Sequence, residues 1–536
     1  MKEQSTSKGF AILSAGTVLV KIISLLYIPF LRAIIGDEGY GIFGAAYQVY
    51  VFMFVVTNSG IPVAISKLVS ELNAKGNYRD AIKSFKLSRF FLLILGIMMS
   101  VILVIMAAPL SRAVHYEKAY LSIIALAPAI LFTSVASAYR GFFQGNRNMI
   151  PTAMSQVFEQ VANTIFALIF SAYLMRYGLE VGCAGAPVGT SVGALISAAF
   201  LIFYYEKIKK ADNIDEIQNA EGVRRIRTGH LALKIVYYSL PITICVGMTY
   251  AGNLVDLYNT KVRLMAGGFS DVQATILYGY LVKYQQLLNV PIALISALAA
   301  AILPSLSSAA AVRNKEMLKE KINYSLRVCF LVALPCAAGL GILSGPIYSM
   351  LVFGKGSYIM AWGSIVLVFL AVMQIQSTIL QGIGKLYIAT LFSVIGIAVK
   401  ITTNYFVIAM PEINILGAVI GSILGFSIPI ILNQVVINRS LRGRMSLFDH
   451  AFKPAVASLF MTVLVFASYS LLRAAFSAFV WNYFTVAVSV MISVAIGAYS
   501  YLYGLVLTKG VSKKDMEIVP ARLRRFVPAS ILNKMA

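Results

Sequence analysis

Few side chains in this 536-residue sequence could do chemistry, and those that could lie where water is scarce. Lys21 stands near the middle of an apolar run at about 10–34. It is about twelve residues, or roughly 18 Å of helix, from either end, which is too far for an easy reach to the interface. Ionisable groups in such positions usually face a cavity, so Lys21 is expected to line one. Lys283, in the run at about 275–304, has two open readings, a cavity wall or an interface. Arg32, at the far end of the first run, reads first as an interfacial anchor and second as a ligand. Gln48 and Asn58 on the next run, and Gln285 and Gln286 beside Lys283, are amides that could bond a sugar, a phosphate or a neighbouring helix. A cleft with cationic walls attracts an anion, and low dielectric strengthens the attraction. The expected substrate is therefore anionic, such as a pyrophosphate-linked lipid, with Lys21, Arg32, Gln48, Asn58, Lys283, Gln285 and Gln286 as its contacts.

A second group is set by spacing. Gln156, Glu159 and Gln160 fall at i, i+3, i+4 and share one helix face. Glu159 could carry protons or pair with Arg140, and the pair is the preferred reading. Asp256 lies in one apolar run, and Lys400 and Asn404 lie one turn apart in another. A buried carboxylate and ammonium should pair if their helices adjoin, so Asp256, Lys400 and Asn404 are expected to form an ion or charge-pair site. The three histidines (His115, His230, His450) are scattered, and the four cysteines (Cys183, Cys245, Cys329, Cys336) sit in or beside apolar runs. Neither set has metal-ligand or disulfide-framework spacing. No nucleotide-binding loop is present. No metal, cofactor or catalytic residue is expected, and without a carboxylate pair or histidine base at a cavity the chain is not expected to be an enzyme.

The elements that position these residues are set by composition. The sequence is 59% hydrophobic and 12% charged, with mean hydropathy +0.82. A soluble domain carries roughly 25% charged residues, so a soluble enzyme, a disordered chain and a fibrous one are excluded. Spans of about 20 apolar residues are read near 10–34, 42–72, 86–110, 119–142, 151–176, 183–205, 232–258, 275–304, 322–344, 360–382, 385–409, 413–437, 451–475 and 481–507. The expected fold is thus all-α and polytopic, with fourteen transmembrane helices. The first run is too long for a signal-peptide core and has no clear cleavage site. Lys and Arg favour the loops on the N-terminal side by roughly four to one, which places both termini in the cytoplasm. The same bias accounts for the formal charge of +24 without nucleic acid. The tail at 508–536 is basic with apolar residues interleaved, so it is expected either to lie on anionic membrane lipids or to fray.

The sequence also repeats itself. At an offset of 237, Ala64-Ile65 matches Ala301-Ile302, Asn77 matches Asn314, Ser88 matches Ser325, and Gln144-Gly145 matches Gln381-Gly382. Tyr47-Gln48 matches Tyr284-Gln285, and at an offset of 232 Gly189 and Gly193 match Gly421 and Gly425. An offset of six spans keeps both copies in one orientation, which makes a parallel repeat. The expected organisation is an N-lobe at 1–205, a cytoplasmic linker at 206–231, a C-lobe at 232–437, two added spans at 451–507 and the tail at 508–536. Two like-oriented lobes suit alternating access.

Four motifs carry a family resemblance: GIPVAISK at 60–67, RGFFQG at 140–145, PTA at 151–153 with QVFEQ at 156–160, and ILPSLS at 302–307. Through them the sequence resembles the MOP flippase superfamily in its polysaccharide-transporter branch, which includes MurJ-type lipid II flippases and SpoVB-like proteins. The resemblance covers about 8–507. It implies two six-helix lobes plus two C-terminal helices, with a central cavity from spans 1, 2, 7 and 8. It implies transfer of an undecaprenyl-pyrophosphate-linked glycan, lipid II first among them, from the inner to the outer leaflet of the bacterial plasma membrane. Spans 13 and 14 would hold the polyprenyl tail, and cell-wall synthesis proteins would be candidate partners. Family cavity arginines fall on Lys21 and Tyr27, near Phe54, and near Gln285 with Lys283 close by. Asp256, Lys400 and Asn404 resemble a sodium site found in some relatives, with an ammonium where sodium would sit. The alternatives are a flippase for another lipid-linked polysaccharide, of spore or capsule, and a MATE-like multidrug exporter, which would want acidic walls.

Overall fold

The computed structural model describes residues 6–211, 226–311, 314–441, 443, 445–476 and 482–508. Residues 212–225 of the expected linker, and the expected tail beyond Thr508, lie outside them. Among the described residues there is no strand. The helices are α1 (Thr6–Asn58), α2 (Ile61–Ala74), α3 (Tyr78–Ala113), α4 (Tyr120–Gly145), α5 (Ile150–Leu174), α6 (Leu179–Ala211), α7 (Thr228–Ala266) and α8 (Asp271–Ala311). They continue as α9 (Lys315–Ile342), α10 (Ser344–Met350), α11 (Ser357–Gly363), α12 (Val366–Gly382), α13 (Leu386–Val407), α14 (Gly417–Leu441), α15 (Leu447–Phe476) and α16 (Asn482–Leu507).

Hydrocarbon as a solvent explains the helix surfaces. On α3, Leu92, Gly96, Leu103 and Ala107 are buried, while Phe90, Ile94, Ile97, Val101 and Ile105 are exposed. A helix apolar all round in this way is a membrane span, not the amphipathic helix of a soluble protein. Among the described residues twelve stretches are long and apolar enough to cross a bilayer, or thirteen if α11 and α12, bent by 52° at their junction, count as one. Length and composition alone therefore do not reach the expected fourteen. The difference falls on the first stretch, Ala15–Asn73, whose 59 residues would extend about 90 Å against a hydrocarbon core of ~30 Å. Its helix α1 is broken at Gly36, where φ is 72° and ψ −178°, a conformation essentially confined to glycine. The break divides the two apolar runs that the sequence reads as separate spans.

The packing forms two compact units, Met1–Val282 with Asn404–Asn414, and Lys283–Thr403 with Ile415–Ala536. In the first unit the core takes Leu68 and Val69 from α2, Phe85 from α3, Phe142 and Phe143 from α4, Leu201 and Tyr205 from α6, and Leu231 and Ile235 from α7. The Phe85 ring lies 4.5 Å from Phe142 and 5.1 Å from Tyr205. Such pairs add ~0.5–1.5 kcal/mol each beyond the area they bury. The start of α7 is fastened to α3 by the Ile226 N–H donating to Asp80 Oδ2 (3.0 Å) and by Lys83 Nζ donating to the Ile226 carbonyl (3.1 Å). Lys67 on α2 sits 3.9 Å over the Tyr238 ring, a cation–π contact. In the second unit α15 and α16 close on α9 and α10 through Leu343, Met461, Val465, Val490 and Leu505. There the Tyr501 hydroxyl donates to the Leu331 carbonyl at 2.9 Å.

Each unit makes the same close approaches at positions matched by the repeat. A Cβ on Gly145 would come within 2.8 Å of Val69 Cβ, and one on Gly382 within 2.8 Å of Leu306 Cβ. A Cβ on Gly193 would meet the Glu159 carbonyl oxygen at 2.6 Å, and one on Gly425 the Gly396 carbonyl oxygen at 2.9 Å. The offsets are 237 for Val69 to Leu306 and for Glu159 to Gly396. Asn77 and Asn314 also match, each as the N-cap of its helix, accepting from the Asp80 and Met317 N–H groups respectively. Small residues that let helix backbones meet are a main source of cohesion where lipid supplies no hydrophobic drive between helices.

Candidate functional site

Lys21 lies midway between Thr6 and Gly36 on α1, about 22 Å from each at helical rise. It is half-buried and has no ion pair or hydrogen bond to any of the described residues. Arg32, three turns on, is engaged across the Gly36 break, where Nε donates to Asp37 Oδ1 at 2.6 Å and Nη2 to Asp37 Oδ2 at 3.1 Å. A bidentate pair of this kind fixes geometry as well as charge. Glu38 next to it accepts from Lys118 at 2.8 Å. Among the described residues the far end of the first span is thus ion-paired, and its centre is not.

Beyond the break, Gln48 is half-buried and Asn58 is 6% exposed. Asn58 Nδ2 donates to Ser134 Oγ on α4 at 3.2 Å, and Asn58 Oδ1 is buried without a partner among the described residues. Along the same segment Tyr40, Phe43, Tyr47, Tyr50 and Phe54 form a continuous ladder, with successive ring centroids 6.0, 5.9, 5.7 and 6.0 Å apart. The ladder is not among the expected contacts, although its i, i+3, i+7, i+10, i+14 spacing is visible in the sequence.

Arg140 and Glu159 are joined as expected, Arg140 Nη2 to Glu159 Oε2 at 2.6 Å. The same guanidinium donates to Ser197 Oγ at 2.8 Å, and its Nε to Ser155 Oγ at 3.0 Å. Arg140 therefore ties α4, α5 and α6 together. The two serines carry no sequence signal that marks them as partners. Asp256 on α7 accepts from Asn404 Nδ2 on α13, so two members of the expected charge-pair site are in contact. Lys400, half-buried, stands one turn before Asn404 on the same helix.

Lys283 is fully buried, and its ammonium donates to the Phe353 carbonyl (2.8 Å) and the Lys355 carbonyl (3.1 Å). That turn precedes α11, and the ammonium anchors it through these two backbone acceptors. Gln285 and Gln286, next on α8, are half-buried. A buried lysine that sequence reading did not single out is Lys261, paired with Asp271 at 2.8 Å and lying 4.1 Å over the Tyr116 ring. Its place at the end of a span hid it.

Comparison with known proteins assigns the chain. The family described as "Polysaccharide biosynthesis protein" matches residues 6–310. Lipid II flippase MurJ of Bacillus subtilis (strain 168) is 24% identical over 452 residues, 81% of this chain and 82% of that one. The uncharacterized membrane protein YabM of the same organism is 31% identical over 426 residues, 78% of this chain and 77% of its own. Stage V sporulation protein B, again of Bacillus subtilis, is 25% identical over 465 residues, covering 85% and 88%. In fold, the structure of lipid II flippase MurJ in an inward closed conformation aligns with TM-score 0.65 at 15% identity, over 93% of this chain and 98% of that one. An inward-facing multidrug resistance MATE family transporter of the MOP superfamily aligns with TM-score 0.65 at 15% identity, over 79% and 94%. A family match over more than half of the sequence, a relative above 30% identity and an all-helical fold shared with these structures converge: the chain is a multi-pass membrane protein of the polysaccharide biosynthesis protein family, built on the MOP-superfamily fold.

Proposed function

We propose that the chain is a flippase that carries an undecaprenyl-pyrophosphate-linked glycan precursor, lipid II foremost, from the inner to the outer leaflet by alternating access. The observation that carries this reading is Lys21, a mid-span ammonium with no partner among the described residues. A charge so placed is expensive in lipid and is retained where an anion visits. The curated relatives, a lipid II flippase among them, supply the chemical class of that anion. Arg32, Gln48, Asn58, Gln285 and Gln286 are proposed as further contacts, and Lys283, expected as a contact, is proposed as a positioning residue that holds the turn before α11.

The proposed organisation keeps two lobes, at 1–205 and 232–437, with both termini in the cytoplasm of a bacterial plasma membrane. The matched glycine contacts support it, since a parallel repeat needs equivalent helix pairs in each half. Asp256, Asn404 and the Lys400 ammonium one turn away are proposed as a charge site that operates without sodium. Cargo from another lipid-linked polysaccharide is the second reading, supported by the 25% identity to a sporulation protein. The test is complementation. Cells depleted of their lipid II flippase should regain growth and outer-leaflet precursor with this chain, and should lose both with Lys21→Gln. Growth without restored lipid II on the outer leaflet would move the assignment to another glycan. Drug efflux that survives Lys21→Gln, with no precursor export by the parent chain, would refute the flippase reading.

A further inference from the structure

The aromatic ladder on α1 has no place in the anion-binding reading, and its surroundings are those of a carbohydrate site. At 100° per residue, Tyr40, Phe43, Tyr47, Tyr50 and Phe54 fall within an arc of about 80° on one helix face. Asn58 continues the same arc. The segment around them is mostly interior: Tyr40 and Tyr50 are buried, Phe43 and Phe54 half-buried, and Tyr47 is 37% exposed. The ladder is thus open at Tyr47 and covered at its neighbours, unlike the broad exposed stripe of a lipid-facing helix such as α3.

Polar groups border this face on the α4 and α5 side. The helix packs against both α4 and α5, and Asn58 Nδ2 donates to Ser134 Oγ on α4 at 3.2 Å. Glu159 on α5 is held by Arg140 on α4. Among the described residues two amide oxygens, Asn58 Oδ1 and Gln156 Oε1, are buried with no hydrogen-bond partner. Orphaned buried acceptors cost free energy unless a ligand or water fills them.

We propose that this face of α1, with Asn58, Gln156 and the Arg140–Glu159 pair, binds a pyranose ring of the cargo. The pyranose C–H face is apolar and weakly electropositive, which suits the negative face of an aromatic ring. The ring's hydroxyl groups donate to Asn58 Oδ1 and Gln156 Oε1. Neither a bare polyprenyl tail nor an ionised pyrophosphate, which only accepts, offers such donors. The ladder is longer than one sugar, so successive rings give a graded track on which a glycan can shift without losing contact. This rests on the flippase reading and names which part of the cargo α1 recognises.

The test measures binding of two probes to the full chain in nanodiscs: undecaprenyl pyrophosphate, and the same lipid carrying an N-acetylhexosamine disaccharide. The wild type should bind the glycosylated lipid about tenfold more tightly, equivalent to ~1.4 kcal/mol. Tyr47→Leu with Phe54→Leu, which keeps apolar volume, should bring the ratio to about one while bare-lipid binding persists. Tyr47→Phe with Phe54→Tyr, which keeps the rings, should retain the ratio and covers the case in which the leucine variant fails to fold. Lys21→Gln should weaken both lipids and leave the ratio unchanged. A wild-type ratio of one, or a ratio unchanged in a folded leucine variant, overturns the proposal and spares the flippase reading. Binding of neither lipid by the wild type overturns both.

Discussion

Replacing Lys21 with methionine should move binding and stability in opposite directions. The unbranched apolar stem is nearly preserved, and only the ammonium is lost. That ammonium has no partner among the described residues. A lysine at the centre of a span costs ~2.5–3.5 kcal/mol on insertion scales, so its removal should leave the thermal unfolding midpoint unchanged or raised. Hydrogen bonds to charged groups contribute ~1.5–3 kcal/mol, so loss of the ammonium–pyrophosphate contact should weaken binding by about 10- to 150-fold. The assay pairs nanodisc binding of undecaprenyl pyrophosphate with thermal unfolding of the empty protein. A structural lysine would lower both readings when lost. Unchanged lipid binding, or a lowered midpoint, would refute the reasoning and show that the protein itself holds the charge.

Four more expectations follow from the other contacts. Arg140→Ala removes three side-chain bonds that link α4, α5 and α6 and leaves a partly buried carboxylate behind, so it should cost about 2–4 kcal/mol. Arg140→Lys should recover only part of this, because an ammonium cannot reproduce the fork; thermal unfolding of both variants checks it. Gly193→Ala and Gly425→Ala each drive a methyl into a facing carbonyl and should each cost ~1–3 kcal/mol, with similar losses of midpoint in the two repeats. Asn404→Leu deprives the buried Asp256 carboxylate of a donor and should cost about 1.5–3 kcal/mol. Precursor export by the unaltered chain should be the same in sodium and potassium media, and a sodium requirement would count against the charge site as proposed.

Much of this fold is legible in the sequence because bilayer physics leaves few options. A run of some 20 apolar residues must be a helix, since no other single segment satisfies its own backbone in lipid. The Arg140–Glu159 pair is legible for a related reason, as two opposite charges in adjacent spans have few other partners. The glycine repeat is legible because backbone contact tolerates no other residue, so Gly193 and Gly425 keep both identity and spacing. Lys283 shows the limit. Its burial beneath the Phe353 and Lys355 carbonyls depends on a turn some 70 residues away, which no local pattern announces. Ser155 and Ser197 are missed for the same reason, because a hydroxyl signals nothing until an arginine reaches it. The Gly36 break is missed because one glycine among many does not reveal its backbone angles.

One contact set also constrains how the protein is made. The first unit is not contiguous, since it recruits Asn404–Asn414 from far along the chain. Asn404 bonds Asp256, Arg263 Nε donates to the Tyr405 carbonyl, and Gly267 packs against the Ala409 backbone. While the ribosome is still adding residues short of 404, the emerging half holds a carboxylate short of one donor and a glycine facing a gap. Final closure of the earliest-synthesised region is therefore post-insertional. A nascent chain stalled before α13 is the form that membrane quality-control proteases would meet as unfinished.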